Sequence, residues 1–465
     1  MIRPLADAGS FRDHSGRIYH AGSDVFRSVS RRAAEDYGHA LKSGLIEKLM
    51  AEGKLVTTQE VDQRVLTDAG IETTIVLRHQ RIPFISYPYE WPFSLLKAAA
   101  LLHLDIHIEA LKHGITLSDA SAYNVQFRGI EPVFIDVLSF RRYREGEAWA
   151  GHRQFCEQFL NPLLLRSLFG IAHNDWYRGR LEGIGTQELA DLLPWWRNSS
   201  FNLLTHVTLQ ARLQRAAAAD SGAYTERAKK TSLSKRAHAA ILEELRSWIG
   251  DLKPLKSKAT TWQHYAEQTT YGEKERQAKG RFIAAFCRET RPEMLWDIGC
   301  NTGEYAEIAL SSGAKRVVGF DYDQGALERA IARAKGKGLD LLPLYQDGAN
   351  PSPGQGWMGR ERRSTQERGG ADALIALAFE HHLAIGRNVP LDQLVAWLVA
   401  LAPKGIIEFV QKSDPTVQQL LALREDIFCD YDAVRFEAAL KSKARIVAAE
   451  QVSAQGRTLY SFERS

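Results

Sequence analysis

The sequence predicts an α/β protein in which a doubly wound parallel sheet follows an α+β domain. Three observations predict it. From about residue 293 onward, short Val/Ile/Leu-rich runs alternate with amphipathic helical patterns, as strands buried on both faces do. Before residue 250 the order differs, with small strand-like pieces first and then mostly helix. Between them lies IGDLKPLKSKATT, residues 249–261, rich in Gly, Pro, Lys and Thr. These features divide the chain into 1–250, a linker and covering helix over 251–280, and 281–465.

In the first part, GRIYH and VFRSV read as strands and YGHALKSGLIEKLMAEG as a helix. TTIVLRH and IPFISYPYEW are strand-like. The stretch PFSLLKAAALLHLDIHIEALKHG sets Leu95, Ala99, Leu102, Ile106 and Ala110 at helical spacing and stops at Gly114. YNVQF and PVFID are two further short strands. In the second part MLWDIGC, KRVVGFDYD, LLPLYQDG, ADALIALAF and KGIIEFVQ are strands. The helices EYAEIALSSGA (ending at Gly313), QGALERAIARAKGKG and LDQLVAWLVALAP separate them. ARIVAAEQVS and GRTLYSFER read as a final strand pair.

Of the 465 residues, 45 % are hydrophobic and 25 % charged, an ordinary globular balance. A net charge of +4 lacks the dense basic stripe of a dedicated nucleic-acid binder. Cys156, Cys287, Cys300 and Cys429 are scattered, with no CxxC pair and no Cys/His cluster at metal-ligand spacing. A reduced cytoplasmic compartment and no certain metal are the expectations. The N-terminus shows no apolar signal region, and no stretch has transmembrane length.

Three consecutive strands end in an acid: LWDIGCNTG, VVGFDYD and LYQDG. In a parallel sheet these ends share the edge where ligands bind. Gly299 and Gly303 permit a tight turn and close approach to a ligand. Asp321 is placed to accept both hydroxyl hydrogens of a ribose, and Asp347 to accept from an adenine amino group. Asp297 lies inside the first strand end, suited to organise the glycine turn or bind an ammonium.

Over about 280–465 this pattern resembles the Rossmann-like class I S-adenosylmethionine-dependent methyltransferases. Asn301 stands where that family usually has its middle glycine. A nicotinamide dinucleotide reading expects a further glycine where Ala306 stands. The resemblance implies S-adenosyl-L-methionine as cofactor, held by Asp297, Gly299, Cys300, Asn301, Gly303, Asp321, Tyr322, Asp347 and Gly348. It also implies that the segment ahead of the sheet folds over the cofactor. Tyr271 would then join the cofactor site, with Trp262 and Tyr265 beside the substrate. An interdomain packing helix is the other reading of those aromatics.

The fourth strand runs into Glu380-His381-His382, which the resemblance places next to the methyl group, with a His as base. A cap on the following helix and a ring packed beneath it is the alternative. Glu408, ending IIEFV, orients substrate, pairs with Lys412 or caps the sheet. The insert NPSPGQGWMGRERRSTQERGG suggests an ordered loop near the adenine through Trp357. Arg360, Arg362, Arg363 and Arg368 within it either meet an acidic substrate or form a solvated face.

In the first part, SDASAYNVQFRGIEPVFIDVLSF carries Asp119, then Asn124 five residues on, then a strand pair leading to Asp136. This resembles the catalytic loop and metal-binding acid of protein kinases and related phosphotransferases, which implies ATP and Mg²⁺ there. Leu117 stands where those families carry His. No glycine-rich phosphate loop or strand lysine is present, and Arg27 is the candidate for the lysine's place. A kinase-like domain with lost or altered chemistry, a working phosphotransferase and a fortuitous match all stay open. As a whole the chain resembles two-domain bacterial methyltransferases of the nodulation-associated, NoeA-like group, through YPYEWPFSLLK, DASAYNVQF, LWDIGCNTGEY, NPSPGQGW and HHLAIGRNVP. The resemblance implies methyl transfer to a small or carbohydrate-like metabolite. Ribosomal protein or RNA is the alternative acceptor. A phosphotransferase with a regulatory methyltransferase-like half is the alternative of another class.

Overall fold

A computed structural model describes residues 3–194, 200–219, 232–255, 272–422 and 424–464. The chain forms two compact units, residues 1–257 with 356–362, and 258–355 with 363–465.

The first unit opens with strands β1 (Leu5–Ala6), β2 (Ile18–Ala21), β3 (Asp24–Val29), β4 (Thr58–Val61) and β5 (Ile75–His79). They form an antiparallel sheet in the order β1-β2-β3-β5-β4. Strand β4, TQEV, escaped the sequence reading because it is a polar edge strand with little apolar alternation. The single helix expected over residues 37–53 is two, Arg31–Lys42 and Leu45–Ala51, parted by Gly44 at φ +77°.

IPFISYPYEW is not a strand. Pro83 and Pro88 remove backbone donors, and the chain forms one 3₁₀ turn, Pro88–Glu90. Side chains take over the missing backbone pairing: Tyr87 N donates to Glu90 Oε2 (2.9 Å) and Ser86 N to Gln126 Oε1 (2.9 Å). The helix Phe93–Lys112 follows, with twelve buried residues spread around its girth, so it is a central core helix. Beside it β6 (Ile115–Leu117) pairs with β9 (Phe140–Arg142), and β7 (Val125–Arg128) forms a hairpin with β8 (Glu131–Phe134). Helices complete the unit, among them Lys235–Asp251, which absorbs the start of the break drawn at residue 249.

The second unit begins with the helix Glu273–Thr290, which runs through residue 280, where the sequence reading began its last domain. Its strands are β10 (Leu295–Ile298), β11 (Val317–Asp321), β12 (Leu341–Tyr345), β13 (Ala373–Ala376), β14 (Lys404–Phe409), β15 (Arg445–Gln451) and β16 (Thr458–Glu463). They make one seven-stranded sheet, β12-β11-β10-β13-β14-β16-β15. The five strands β12 to β14 in that order run parallel, and β16 and β15 close the sheet antiparallel. Strand order reverses between β10 and β13, and such a switch point opens a crevice at the carboxyl ends of the strands.

Candidate functional site

That crevice holds a cavity of about 450 Å³. It is lined by the turn after β10, the ends of β11 and β12, and the segment after β13. The turn is built by backbone conformation. Gly299, Asn301 and Gly303 all take positive φ, +82°, +47° and +73°. Asn is among the few side chains that tolerate this region, which explains how Asn301 replaces a glycine. The amides of Gly299 and Cys300 both donate to Phe320 O, at 2.8 and 3.0 Å, clamping the turn onto β11. Cys300 is buried against Leu327 and Tyr345.

Asp321, at the end of β11, accepts from Asn301 N and Asp323 N, each at 2.8 Å. Burial raises its carboxyl to about 6, against the opposing pull of those two amides. Each oxygen keeps acceptor capacity towards the cavity. Asp297 is buried more deeply. Burial and the neighbouring charge of Asp321 raise it to about 8, and its Oδ2 has no hydrogen-bond partner among the described residues. Asp347 accepts from Ala349 N (2.9 Å), with Arg387 Nη2 3.8 Å from its other oxygen. Tyr322 is half exposed at the rim, its ring 5.7 Å from that of Tyr345. At Gly348 a Cβ would come within 2.6 Å of the Phe379 ring, so the chain must be bare there.

His381 and His382 line the cavity with ring centroids 4.0 Å apart. Burial lowers His381 to about 3, and burial and His381 together hold His382 well below its ordinary value. Both rings are neutral at physiological pH. Glu380 does not line the cavity. It is sealed, accepting from Val410 N and Tyr431 Oη at 2.8 Å each, and burial raises it to about 7. It fixes the helix start to the strand beside it.

Glu408 is likewise sealed. It pairs with Lys279 at 2.7 Å and accepts from Ala378 N at 2.9 Å. Lys412, its expected partner, pairs with Asp426 instead (2.8 Å). Trp357 is exposed, and Gly356–Arg362 cluster with the first unit. There Glu361 accepts from Arg12 Nε (2.6 Å), and Arg362 lies 4.1 Å over the Tyr123 ring. Trp262, Tyr265 and Tyr271 lie outside the described residues. Lys279, Tyr305, Phe379 and Arg387 line the cavity and escaped sequence reasoning. Only Phe379 carried a signal, as the residue ending ADALIALAF.

In the first unit Asp119 and Asn124 are hydrogen-bonded to each other, and Asp136 is near enough for its charge to act on Asp119. Asn124 Nδ2 donates to both Asp119 oxygens (3.1 and 3.2 Å), and Ser139 Oγ donates to one (2.7 Å). Burial and nearby Asp136 raise Asp119 to about 6, against Ser139 and Asn124. Arg27, buried, donates to Asp136 (2.6 Å) and to Asp13.

No protein-family model matches the chain. The nodulation protein NoeA of Rhizobium meliloti (strain 1021) is 45 % identical over 463 residues, spanning 100 % of this chain and 97 % of that protein. Among solved structures, the N-methyltransferase NodS from Bradyrhizobium japonicum WM9 in complex with S-adenosyl-L-homocysteine is similar over 44 % of this chain and 99 % of its own. Its identity is 14 % and its TM-score 0.32. The magnesium protoporphyrin IX methyltransferase from Synechocystis PCC 6803 with bound S-adenosyl-L-homocysteine covers 45 % of this chain and 90 % of its own, at 16 % identity and TM-score 0.31. No helix among the described residues is long and apolar enough to cross a membrane.

Proposed function

The chain belongs to the family of the nodulation protein NoeA, and we propose that its second unit is an S-adenosyl-L-methionine-dependent methyltransferase acting on a small or carbohydrate-like metabolite. One observation carries the reading. Asp321 is anchored by two backbone amides at the edge of a 450 Å³ cavity, with its remaining acceptor capacity turned to that cavity. One feature fits the cofactor: the orphaned Oδ2 of Asp297. Asp321 would hold the ribose, Asp347 and Tyr322 the adenine side, and Asp297 the ammonium. When bound, the cofactor supplies a methyl on a sulfonium, a good leaving group.

What the chain itself does is alignment and exclusion of water. The neutral rings of His381 and His382 accept a hydrogen bond from an acceptor hydroxyl or amine, so that its lone pair faces the cavity. Glu380 and Glu408 hold the backbone on which those rings and Ala378 sit.

The first unit we read as a kinase-like lobe with lost or altered phosphotransfer chemistry. Arg27 supports this, because it already engages the carboxylate of Asp136 that a metal would need. Binding of ATP·Mg²⁺ that Asp136→Ala abolishes would instead favour a phosphotransferase with a regulatory second half.

The test is methyl-labelled S-adenosylmethionine given to the purified chain with host extract, with Asp321→Ala as control. Label in extractable small molecules supports the reading, whereas label in protein or RNA replaces the acceptor class. Unchanged cofactor binding by Asp321→Ala overturns the site.

A further inference from the structure

His152, Cys156 and His206 converge inside the first unit. His152 lies on the helix His152–Phe155, and Cys156 begins the π-helical turn Cys156–Leu160 that continues it. Residues four apart on a helix share a face, so both side chains point the same way. His206 is the central residue of a second π-helical turn, Leu204–Thr208. Such turns are rare and recur at functional sites, because the extra residue re-aims neighbouring side chains. Here two of them each deliver a ligand type to one point.

The spacing suits a metal ion. One donor atom from each residue lies within 4.8 Å of the others. His152 Nε2 is 3.1 Å from His206 Nδ1 and 3.8 Å from Cys156 Sγ. A tetrahedral zinc ion, with bonds of roughly 2.0–2.3 Å to nitrogen and sulfur, separates its ligand atoms by about 3.3–3.6 Å. Both His152 distances lie within a few tenths of an ångström of these values, and the third pair, His206 with Cys156, lies within 4.8 Å.

The surroundings point to a cation as well. Cys156 and His206 are buried, and Trp149 and Trp248 flank the two imidazoles. Behind His206, Glu244 Oε2 stands 3.8 Å from Nε2, while its Oε1 and that Nε2 are buried with no hydrogen-bond partner among the described residues. A carboxylate behind a ligating histidine is the usual outer partner of a metal site, fixing the ring's tautomer and orientation.

We propose that His152, Cys156 and His206 bind one zinc ion, with Glu244 positioning His206 from behind. Zinc is borderline-soft and accepts this mixed thiolate and imidazole set, and water takes the fourth position. On binding, the Cys156 S–H bond gives up its proton to solvent as the S–Zn bond forms, and both imidazoles coordinate as neutral ligands. The ion ties residues 152–160 to residues 204–208 across the sequence between them.

The experiment uses the full chain, purified without a histidine tag, stripped with chelator and titrated with Co²⁺ and then Zn²⁺. Expected are one equivalent per chain, a near-ultraviolet thiolate-to-cobalt band with tetrahedral visible bands, and displacement of Co²⁺ by Zn²⁺. Cys156→Ser removes the thiolate band and weakens binding at least 100-fold. Glu244→Gln, which keeps all three ligands and so tests the site even if the serine variant misfolds, weakens it about 10-fold. A folded wild-type chain that takes up no stoichiometric Co²⁺ or Zn²⁺ overturns the proposal. So does a cobalt spectrum without the thiolate band.

Discussion

Lys279 and Glu408 form an ion pair of 2.7 Å in which the lysine side chain is 1 % exposed and the glutamate 0 %. The lysine comes from the helix ahead of the sheet and the acid from the internal strand β14. Glu275 is 3.3 Å from the same ammonium, and Arg457, held by Asp414 at 2.7 Å, is 3.9 Å from Glu408. A charge left alone in such a place is costly, because the attraction that offset its desolvation is gone. Lys279→Met is therefore expected to destabilise the chain by about 3 kcal/mol. Lys279→Met with Glu408→Gln should recover most of the loss in denaturant unfolding, since neither charge then remains buried.

Asp321 makes cofactor binding pH-dependent. Its carboxyl sits near 6 through burial, and only the ionised form accepts two ribose hydroxyls. Affinity for S-adenosylmethionine should rise as pH increases through about 6, and again towards 8 as Asp297 ionises to meet the ammonium. Asp321→Ala should remove the lower step and weaken binding roughly 100-fold, the worth of two charge-assisted hydrogen bonds, by titration calorimetry.

Asp297 bears on stability with a definite sign. Its folded carboxyl, near 8, is above the unfolded value, so the folded chain holds the proton more tightly. The stability this contributes is complete below about pH 4 and is lost as pH rises towards 8. The melting temperature of Asp297→Asn relative to wild type should therefore climb over that window and flatten beyond it. A constant offset would remove the assignment.

Gly348→Ala puts a methyl group 2.6 Å from the Phe379 ring. Overpacking of this kind costs about 1–3 kcal/mol. Cofactor affinity should fall at least 10-fold, and Phe379→Leu in the same chain should restore much of it. The check is cofactor titration of the single and double variants.

Arg27→Met should lower the stability of the first unit by about 2 kcal/mol, because Asp136 and Asp13 lose their shared cation while keeping partial access to water. Differential scanning calorimetry reads the change. Unaltered stability would mean that the pair holds nothing.

Much of the second unit was legible because its signals are local. Parallel strands buried on both faces are short apolar runs, and Gly299, Asn301 and Gly303 mark a turn wherever the chain is placed. The first unit was less so. Strand β4 is a polar edge, and the stretch before Phe93 looks extended yet satisfies its amides with Glu90 and Gln126. Those partners are chosen by tertiary contact, which a window of sequence does not contain.

The same division runs through the functional residues. The sequence by itself determined that Asp321 and Asp347 end successive strands and that His381 and His382 follow the fourth, because strand order and alternation are written along the chain. Only the tertiary structure decided that Glu380 and Glu408 are sealed among backbone amides and cations, and that Gly356–Arg362 cluster with the other unit. It alone brought His206 to His152 and Cys156. Burial and long-range pairing set a side chain's chemistry, and both depend on which distant elements meet.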